Sequence, residues 1–138
     1  IIVRGGSRSE GVDTCISEGV SLYQQELYGE VVRVLEGCVL TDSLSEKVLA
    51  NFHLCLGISH FFEGNNEKAL FHFDQVINSY SYEDQTIWFT ALTYLQMGEM
   101  KLCQEKLQSL ISDPLFGPKS QVLLEQIKQI PHLLEREG

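Results

Sequence analysis

The side chains best suited to chemistry lie in one short stretch, "HLCLGISHFFEGNNEKALFHF", from His53 to Phe73. Histidine and cysteine are the residue types that bind transition metals or form pairs of nucleophile and base. Ligands on one helix must stand three or four residues apart to reach a common ion. Here Cys55 is two residues from His53 and five from His60. We therefore predict no metal site within one helix, although His60 could still meet His72 or Cys55 across two helices.

The cysteines are not spaced for catalysis or for a disulfide framework. Cys15, Cys38, Cys55 and Cys103 lie far apart within apolar runs, whereas a reactive thiol needs a polar, accessible site. We therefore expect small buried side chains and a reducing compartment such as the cytoplasm. The sequence has no glycine-rich phosphate loop, Gly-x-Ser-x-Gly motif or His-Glu-x-x-His motif. We predict a protein without enzymatic activity, metal or cofactor.

Length and charge limit the classes of partner. The 138 residues fit one domain that can bury a hydrophobic core. Nineteen acidic and ten basic residues give a net charge of -9, and the basic residues are scattered. Because phosphate binding needs clustered cations, we expect no nucleic-acid partner. No apolar run approaches the roughly 18 residues that cross a membrane, so we expect no membrane insertion by this segment.

Three segments of the chain are similar to one another. They are Glu18 to Leu40, Leu56 to Ile77 and Thr90 to Ile111, and they superpose without gaps. In each segment a small residue is followed by a bulky residue three positions later. A small or β-branched residue comes twelve positions after the first, and a large apolar residue four positions after that. The sets are Gly19, Leu22, Val31, Leu35; Gly57, His60, Ala69, Phe73; and Ala91, Tyr94, Cys103, Leu107.

Each unit has the pattern of two amphipathic helices joined by a polar turn. Gly64 and Gly98 are placed to end the first helix of their units, because the left-handed conformation at a helix end favours glycine. Asn66 and Glu99 suit the start of the following helix. We also expect Gly57 to let its helix approach Phe73 closely, since a close approach requires little volume on one side.

The second unit resembles the tetratricopeptide repeat, whose period is 34 residues and whose pattern joins Leu-Gly to a later Ala and Phe. It has Leu56-Gly57 and Ala69-x3-Phe73, and Gly64 precedes Gly98 by 34 residues. The third unit keeps Tyr94, and the first keeps Gly19 and Tyr28. The departures are His60 in place of tyrosine, Ala91 and Cys103 at small positions, and a longer connection over Thr41 to Ser45.

The resemblance implies an all-α fold, a right-handed superhelical solenoid of three antiparallel helix pairs with a C-terminal capping helix. We expect a flexible N-terminal lead-in over 1–9, the repeat domain over 10–130 and a tail over 131–138. The repeats would span 12–43, 50–80 and 84–114, and the capping helix 118–130. The capping residues would be Val122, Leu123, Ile127 and Ile130.

In this family the first helices of successive units line a concave groove that binds peptides. The corresponding residues here are Ile16, Val20, Tyr23, Leu54, Ile58, Phe61, Trp88, Leu92 and Leu95. Some members clamp a C-terminal carboxylate with lysine and asparagine, but these positions are apolar here, so that activity is not carried over. We expect a non-enzymatic scaffold that binds a peptide or partner helix. The alternative is a structural domain whose groove is covered by the lead-in, by the C-terminal helix or in a homodimer.

Divergent repeats of this kind resemble those of bacterial proteins in which a repeat domain is attached to a membrane or a regulatory domain. The chain begins at Ile1 without methionine. We therefore expect it to be part of a larger bacterial protein, and a membrane tether upstream of Ile1 is one arrangement that the resemblance allows. The partner is expected to be a protein or peptide.

Overall fold

The helices predicted from periodicity are present. The computed structural model describes residues 7–76 and 81–130, and every regular element in this part is an α-helix, which confirms the all-α class. Residues 1–6 of the expected lead-in and the tail over 131–138 lie outside the described residues. The described helices are α1 (Ser7–Gln24), α2 (Tyr28–Glu36), α3 (Glu46–Phe62), α4 (Asn66–Val76), α5 (Glu83–Met97), α6 (Met100–Ser109) and α7 (Phe116–Lys128). No helix of this part is both long and apolar enough to cross a membrane.

Three helix ends share one backbone hydrogen-bond pattern. After α3, the amide of Gly64 donates to the Phe61 carbonyl and the next amide donates to the His60 carbonyl. The same two bonds recur around Gly98 after α5 and around Glu26 after α1. All three residues have positive φ, at 82°, 81° and 62°. The predicted roles of Gly64 and Gly98 are confirmed, and the first unit has an equivalent turn that uses a glutamate.

Replacing Glu26 with glycine should stabilise the protein by about 1 kcal/mol. A residue with a Cβ is strained in the left-handed region, and glycine removes this strain from the folded state. The strain energy removed is larger than the cost of the extra conformational entropy that glycine gives to the unfolded chain. Urea titration of the variant would measure the gain. Gly64→Ala and Gly98→Ala are the matched controls, because a Cβ at either position meets nothing within 4 Å. Both should destabilise by a similar amount, and a destabilising Glu26→Gly would contradict this explanation.

The helices pack as successive pairs. α1 contacts α2, α3 contacts α4, and α5 contacts α6, while each second helix also contacts the helix that follows it. In addition, α1 contacts α3, α3 contacts α5, and α5 contacts α7. Three core clusters follow this order along the chain, the first between α1, α2 and α3 and the last between α5, α6 and α7.

The small residues sit where a helix pair is closest. A Cβ built on Gly57 would lie 2.7 Å from Cε1 of Phe73, which is too close for any real contact. A Cβ built on Gly19 would overlap Leu35 in the same way. In the third pair Ala91 is fully buried beside Leu107. The expectation that Gly57 permits a close approach to Phe73 is confirmed, and the first unit repeats the arrangement.

The last helix is shifted from its predicted position. α7 begins at Phe116 instead of 118 and ends at Lys128, with Pro118 in its first turn as expected. Asp113 fixes the start, because its carboxylate accepts hydrogen bonds from the amides of Leu115 and Phe116. The capping residues also change. Leu124 and Ile127 are buried in the last cluster and Leu123 packs against it, whereas Val122 and Ile130 are exposed, so the prediction was wrong for Val122 and Ile130.

Two of the cysteines form a disulfide. Cys15 on α1 is bonded to Cys38, which follows α2, and their Cα atoms are 5.9 Å apart. The expectation of small buried cysteines outside any disulfide is therefore wrong for this pair. The pairing depends on tertiary structure, because α2 folds back against α1 and brings together two cysteines that are 23 positions apart. Disulfides persist in oxidising environments, so the cysteines do not favour a reducing compartment.

Candidate protein-binding surface

The nine predicted groove residues divide into a buried group and a partly exposed group. Ile16, Leu54 and Ile58 are buried, the last with only 1% of its surface exposed. Leu54 and Ile58 belong to the central core cluster, against which Tyr23, Phe61 and Phe89 pack. Leu54 and Ile58 therefore contact their own neighbours in the core. The partly exposed group is Val20, Tyr23, Phe61, Trp88, Leu92 and Leu95.

A cleft of about 550 Å³, which we call the α1–α3 cleft, lies beside Ile16 and Val20. Ile16, Val20 and Val48 supply apolar surface, and Tyr82 from the segment before α5 closes one side. The remaining lining is polar and was not predicted: Ser17, Ser21, Gln24, Lys47 and Asn51. These residues follow helical spacing next to the apolar positions, so a search for a polar stripe along α1 and α3 could have found them. The cleft can hold apolar anchors and hydrogen-bond the polar parts of a ligand.

A second cleft, the α5–α7 cleft, lies at the other end of the described structure and has a volume of about 420 Å³. Leu95 lines it together with Leu123, Ile127 and Ile130 from α7 or just beyond, and Gln126 and Gln129 form its polar part. The sequence predicts a capping role for α7 and leaves open that this helix covers part of the groove. The helix therefore supplies half of a concave site as well as covering the last core cluster.

Trp88 is partly covered by α7. Its ring lies 5.9 Å from the ring of Phe116 at an interplanar angle of 30°. The ammonium group of Lys119 lies 5.8 Å from the centre of the Trp88 ring and 5.4 Å from that of Phe116. These contacts are favourable for a cation on an aromatic face. At this position the C-terminal helix occupies part of the surface that the sequence had assigned to the groove.

Aromatic side chains connect α1, α2, α3 and α5 on one side of the protein. We call this group the aromatic cluster: Tyr23, Tyr28, Phe61, Phe62 and Phe89. Tyr28 and Phe62 are stacked with centroids 4.4 Å apart and planes 15° apart. Tyr23 lies at the buried end of the cluster, and burial is the main cause that raises its pKa to about 12. Phe62 lies at the other end, and 50% of its surface is exposed. The cluster therefore runs from the core to the partly exposed pair of Tyr28 and Phe62.

The histidines of the opening stretch do meet across helices. The two Nδ1 atoms of His53 on α3 and His72 on α4 are 3.0 Å apart. His60 is fully buried, as expected from its core position, and stacks on His72. Its Nε2 lies 2.8 Å from Glu36 and its Nδ1 lies 3.2 Å from the Asn65 amide. Among the described residues no group of three or more His, Cys, Asp or Glu side chains is placed to hold a metal ion.

The buried thiol beside this group is a poor nucleophile. Burial raises the pKa of Cys55 to about 12, so it stays protonated at neutral pH. Its environment is the reverse of the electropositive, accessible setting that activates a catalytic cysteine. The geometry therefore gives this cysteine a packing role in the first core cluster, next to Leu56 and Phe52.

Acid should destabilise the folded state through His53 and His72. Burial lowers the pKa of both, that of His72 to about 4, where the neighbouring His53 and His60 add to the effect. In the unfolded chain both histidines bind protons below their ordinary pKa of about 6.5, whereas in the folded state they stay neutral to a lower pH. The free energy of unfolding therefore falls as the pH drops from about 7 to about 4. Because both side chains are partly exposed, we expect a loss on the order of 1 kcal/mol.

Urea titrations at several pH values would measure this loss, with His72→Gln as the comparison. The variant should lose less stability than the wild type between pH 7 and pH 4, because glutamine does not titrate. The other titrating groups contribute equally to the pH dependence of stability in both proteins, so their contribution cancels when the two proteins are compared. Parallel curves for the two proteins would contradict a contribution from this histidine pair.

No protein-family model matches the chain, and no curated protein is significantly similar to it. The arguments below therefore rest on the helices, clefts and side chains described above.

Proposed function

We propose that the chain is a protein-interaction scaffold in which α1, α3, α5 and α7 present a concave surface to a peptide or a partner helix. In this proposal the three helix pairs form a right-handed solenoid of tetratricopeptide type, with α7 as its cap. The contacts between helices two positions apart, α1 with α3, α3 with α5 and α5 with α7, support this arrangement. They are the contacts expected when helix pairs stack in one direction.

The positions of two clefts among the described residues carry the proposal. Others, of about 570 Å³ and about 340 Å³, are lined mainly by α6 and by α4. The α1–α3 cleft and the α5–α7 cleft both occur where neighbouring first helices meet. Three of the predicted groove residues line these two clefts: Ile16, Val20 and Leu95. Their volumes fall within the roughly 300–1,000 Å³ of typical ligand pockets, and their mixed apolar and polar linings suit a peptide with apolar anchors.

Binding should be blocked by filling the clefts without disturbing the core. A peptide is first selected from a random display library against the purified chain, and its affinity is measured by fluorescence polarisation. Ser17→Arg fills the α1–α3 cleft and Gln126→Arg the α5–α7 cleft, and both positions are exposed. We expect at least one of these variants to weaken binding about tenfold, which corresponds to about 1.4 kcal/mol.

Gln121→Arg is the control, because it adds the same charge at an exposed position of α7 that lines neither cleft. Failure to enrich any peptide, or an equal effect of all three substitutions, would overturn the proposal. Light scattering tests the alternative. A particle of twice the 15.6 kDa chain mass that Ser17→Arg dissociates would mean that a second copy covers the cleft.

A further inference from the structure

A partly exposed aromatic pair with two carboxylates nearby lies apart from both clefts. Phe62 stacks on Tyr28 and remains 50% exposed. Glu63 follows Phe62, and its Oε1 atom would lie 3.4 Å from a Cβ built on Gly29, the residue after Tyr28. The Glu63 carboxylate thus lies beside the amino-terminal end of α2, where the helix dipole favours negative charge. Glu26 precedes Tyr28 by two residues in the chain.

Neither carboxylate is neutralised within the part of the chain whose side chains are described. The two ion pairs of arginine or lysine found there, and the contact of His60 with Glu36, use other acids. The arginine nearest to Glu26 in sequence, Arg33, pairs with Glu30 at 3.1 Å. Glu26 lies close enough to Tyr28 and Tyr23 to raise the pKa of both, in addition to the larger effect of burial. The surface around the aromatic pair therefore carries negative charge on a protein whose net charge is already -9.

The conformation of Glu26 supports a role for its side chain. It has φ 62° at a turn where the other two units have Gly64 and Gly98. Glycine would adopt this conformation at lower cost, so glutamate is a locally unfavourable residue at this turn. A carboxylate here adds charge beside Tyr28 that glycine cannot supply.

We propose that the Tyr28–Phe62 pair, with Glu26 and Glu63, is a docking site for an arginine side chain of a partner protein. A guanidinium group is planar and stacks on an aromatic face while its edges bond to carboxylates, which suits this combination better than the compact ammonium of lysine does. The net negative charge would also steer a basic segment toward the protein. This site does not depend on what occupies the two clefts.

The probe is an acetylated and amidated peptide of four arginines separated by glycines, compared with the same peptide containing citrulline or lysine. Nuclear magnetic resonance titration of the full chain gives both affinity and location. The arginine peptide should shift the signals of Phe62 and Glu63, and the lysine peptide should bind more weakly. The citrulline peptide, which keeps the shape without the charge, should not bind.

Phe62→Leu keeps apolar surface but removes the aromatic face, and we expect it to weaken arginine-peptide binding about two- to fivefold. Glu26→Gln combined with Glu63→Gln should weaken it at least about fivefold. Phe71→Leu and Glu105→Gln are the controls. Both positions are exposed, the Phe71 ring contacts His72 rather than the pair, and α6, which carries Glu105, contacts neither α2 nor α3. Neither should change the affinity, and circular dichroism should be the same for all variants.

Equal binding of the citrulline peptide, or unchanged affinity of Phe62→Leu, would overturn the proposal. Equal losses in the control variants would overturn it too, because they would indicate general attraction to an acidic protein. If Phe62 signals move with protein concentration when no peptide is present, the occupant is a second copy of the chain and the arginine assignment is wrong. Failure in any of these tests leaves the peptide selection at the clefts unaffected, so the two proposals are separable.

Discussion

Gly57→Leu should lower the free energy of unfolding by about 3 kcal/mol or more, the largest effect that we expect from one substitution. Even a Cβ at this position would lie 2.7 Å from Cε1 of Phe73 and 3.3 Å from Cβ of His72. A larger side chain must therefore separate α3 from α4, and overpacking of a rigid core typically costs about 1–3 kcal/mol, sometimes more. Urea titration followed by circular dichroism would measure the loss.

Two comparisons separate overpacking from the intrinsic preferences of the residues. Gly29→Ala places a methyl group in the exposed first turn of α2, where the nearest atom is 3.4 Å away on a flexible glutamate. It should be neutral or slightly stabilising. In a Phe73→Ala background the leucine at 57 has room, so its cost should fall by more than about 1 kcal/mol. An equal cost in both backgrounds would mean that the two residues do not oppose each other.

Loss of the Cys15–Cys38 disulfide should destabilise the protein by about 3 kcal/mol. The bond joins residues 23 positions apart, and closing a loop of this length removes that much entropy from the unfolded chain in the simplest model. Dithiothreitol should lower the midpoint of urea unfolding, and the double variant Cys15→Ser, Cys38→Ser should unfold at the same lower midpoint. The native fold positions both residues, so we expect the variant to remain helical.

The double variant is also the control for the reductant, because dithiothreitol should have no further effect on it. The remaining cysteines, Cys55 and Cys103, are buried and lie outside the disulfide. Thiol titration of the unfolded, unreduced protein should find two reactive thiols. Four thiols, or a wild-type midpoint that does not respond to reductant, would contradict the pairing.

Local patterns were sufficient to predict the helices and their closest contacts. Gly64 and Gly98 marked helix ends because glycine is favoured in the left-handed conformation. Gly57 and Phe73 were paired because a small residue and a large one recur at fixed spacing in each unit. The equivalent turn at Glu26 was missed, since a glutamate carries no such signal and only the backbone angle reveals it.

Features that depend on which sides of a helix are covered could not be read from periodicity. α3 is covered by α1, α2, α4 and α5, so Leu54 and Ile58 are buried although their spacing also fits a groove. In α7, Leu124 and Ile127 face the core while Val122 points away, and all three are equally apolar in the sequence. The disulfide likewise requires α2 to lie against α1. These outcomes follow from tertiary packing, which selects among several apolar stripes on the same helix.

The central claim is that neighbouring first helices bind a peptide in the clefts between them. Intermolecular nuclear Overhauser effects between a selected peptide and a methyl-labelled chain test it most directly. We predict contacts from the peptide to Val20 and Val48 in the α1–α3 cleft, or to Leu95 and Leu123 in the α5–α7 cleft. Contacts confined to exposed methyl groups outside both clefts, such as those of Leu102 on α6 and Val122 on α7, would contradict it.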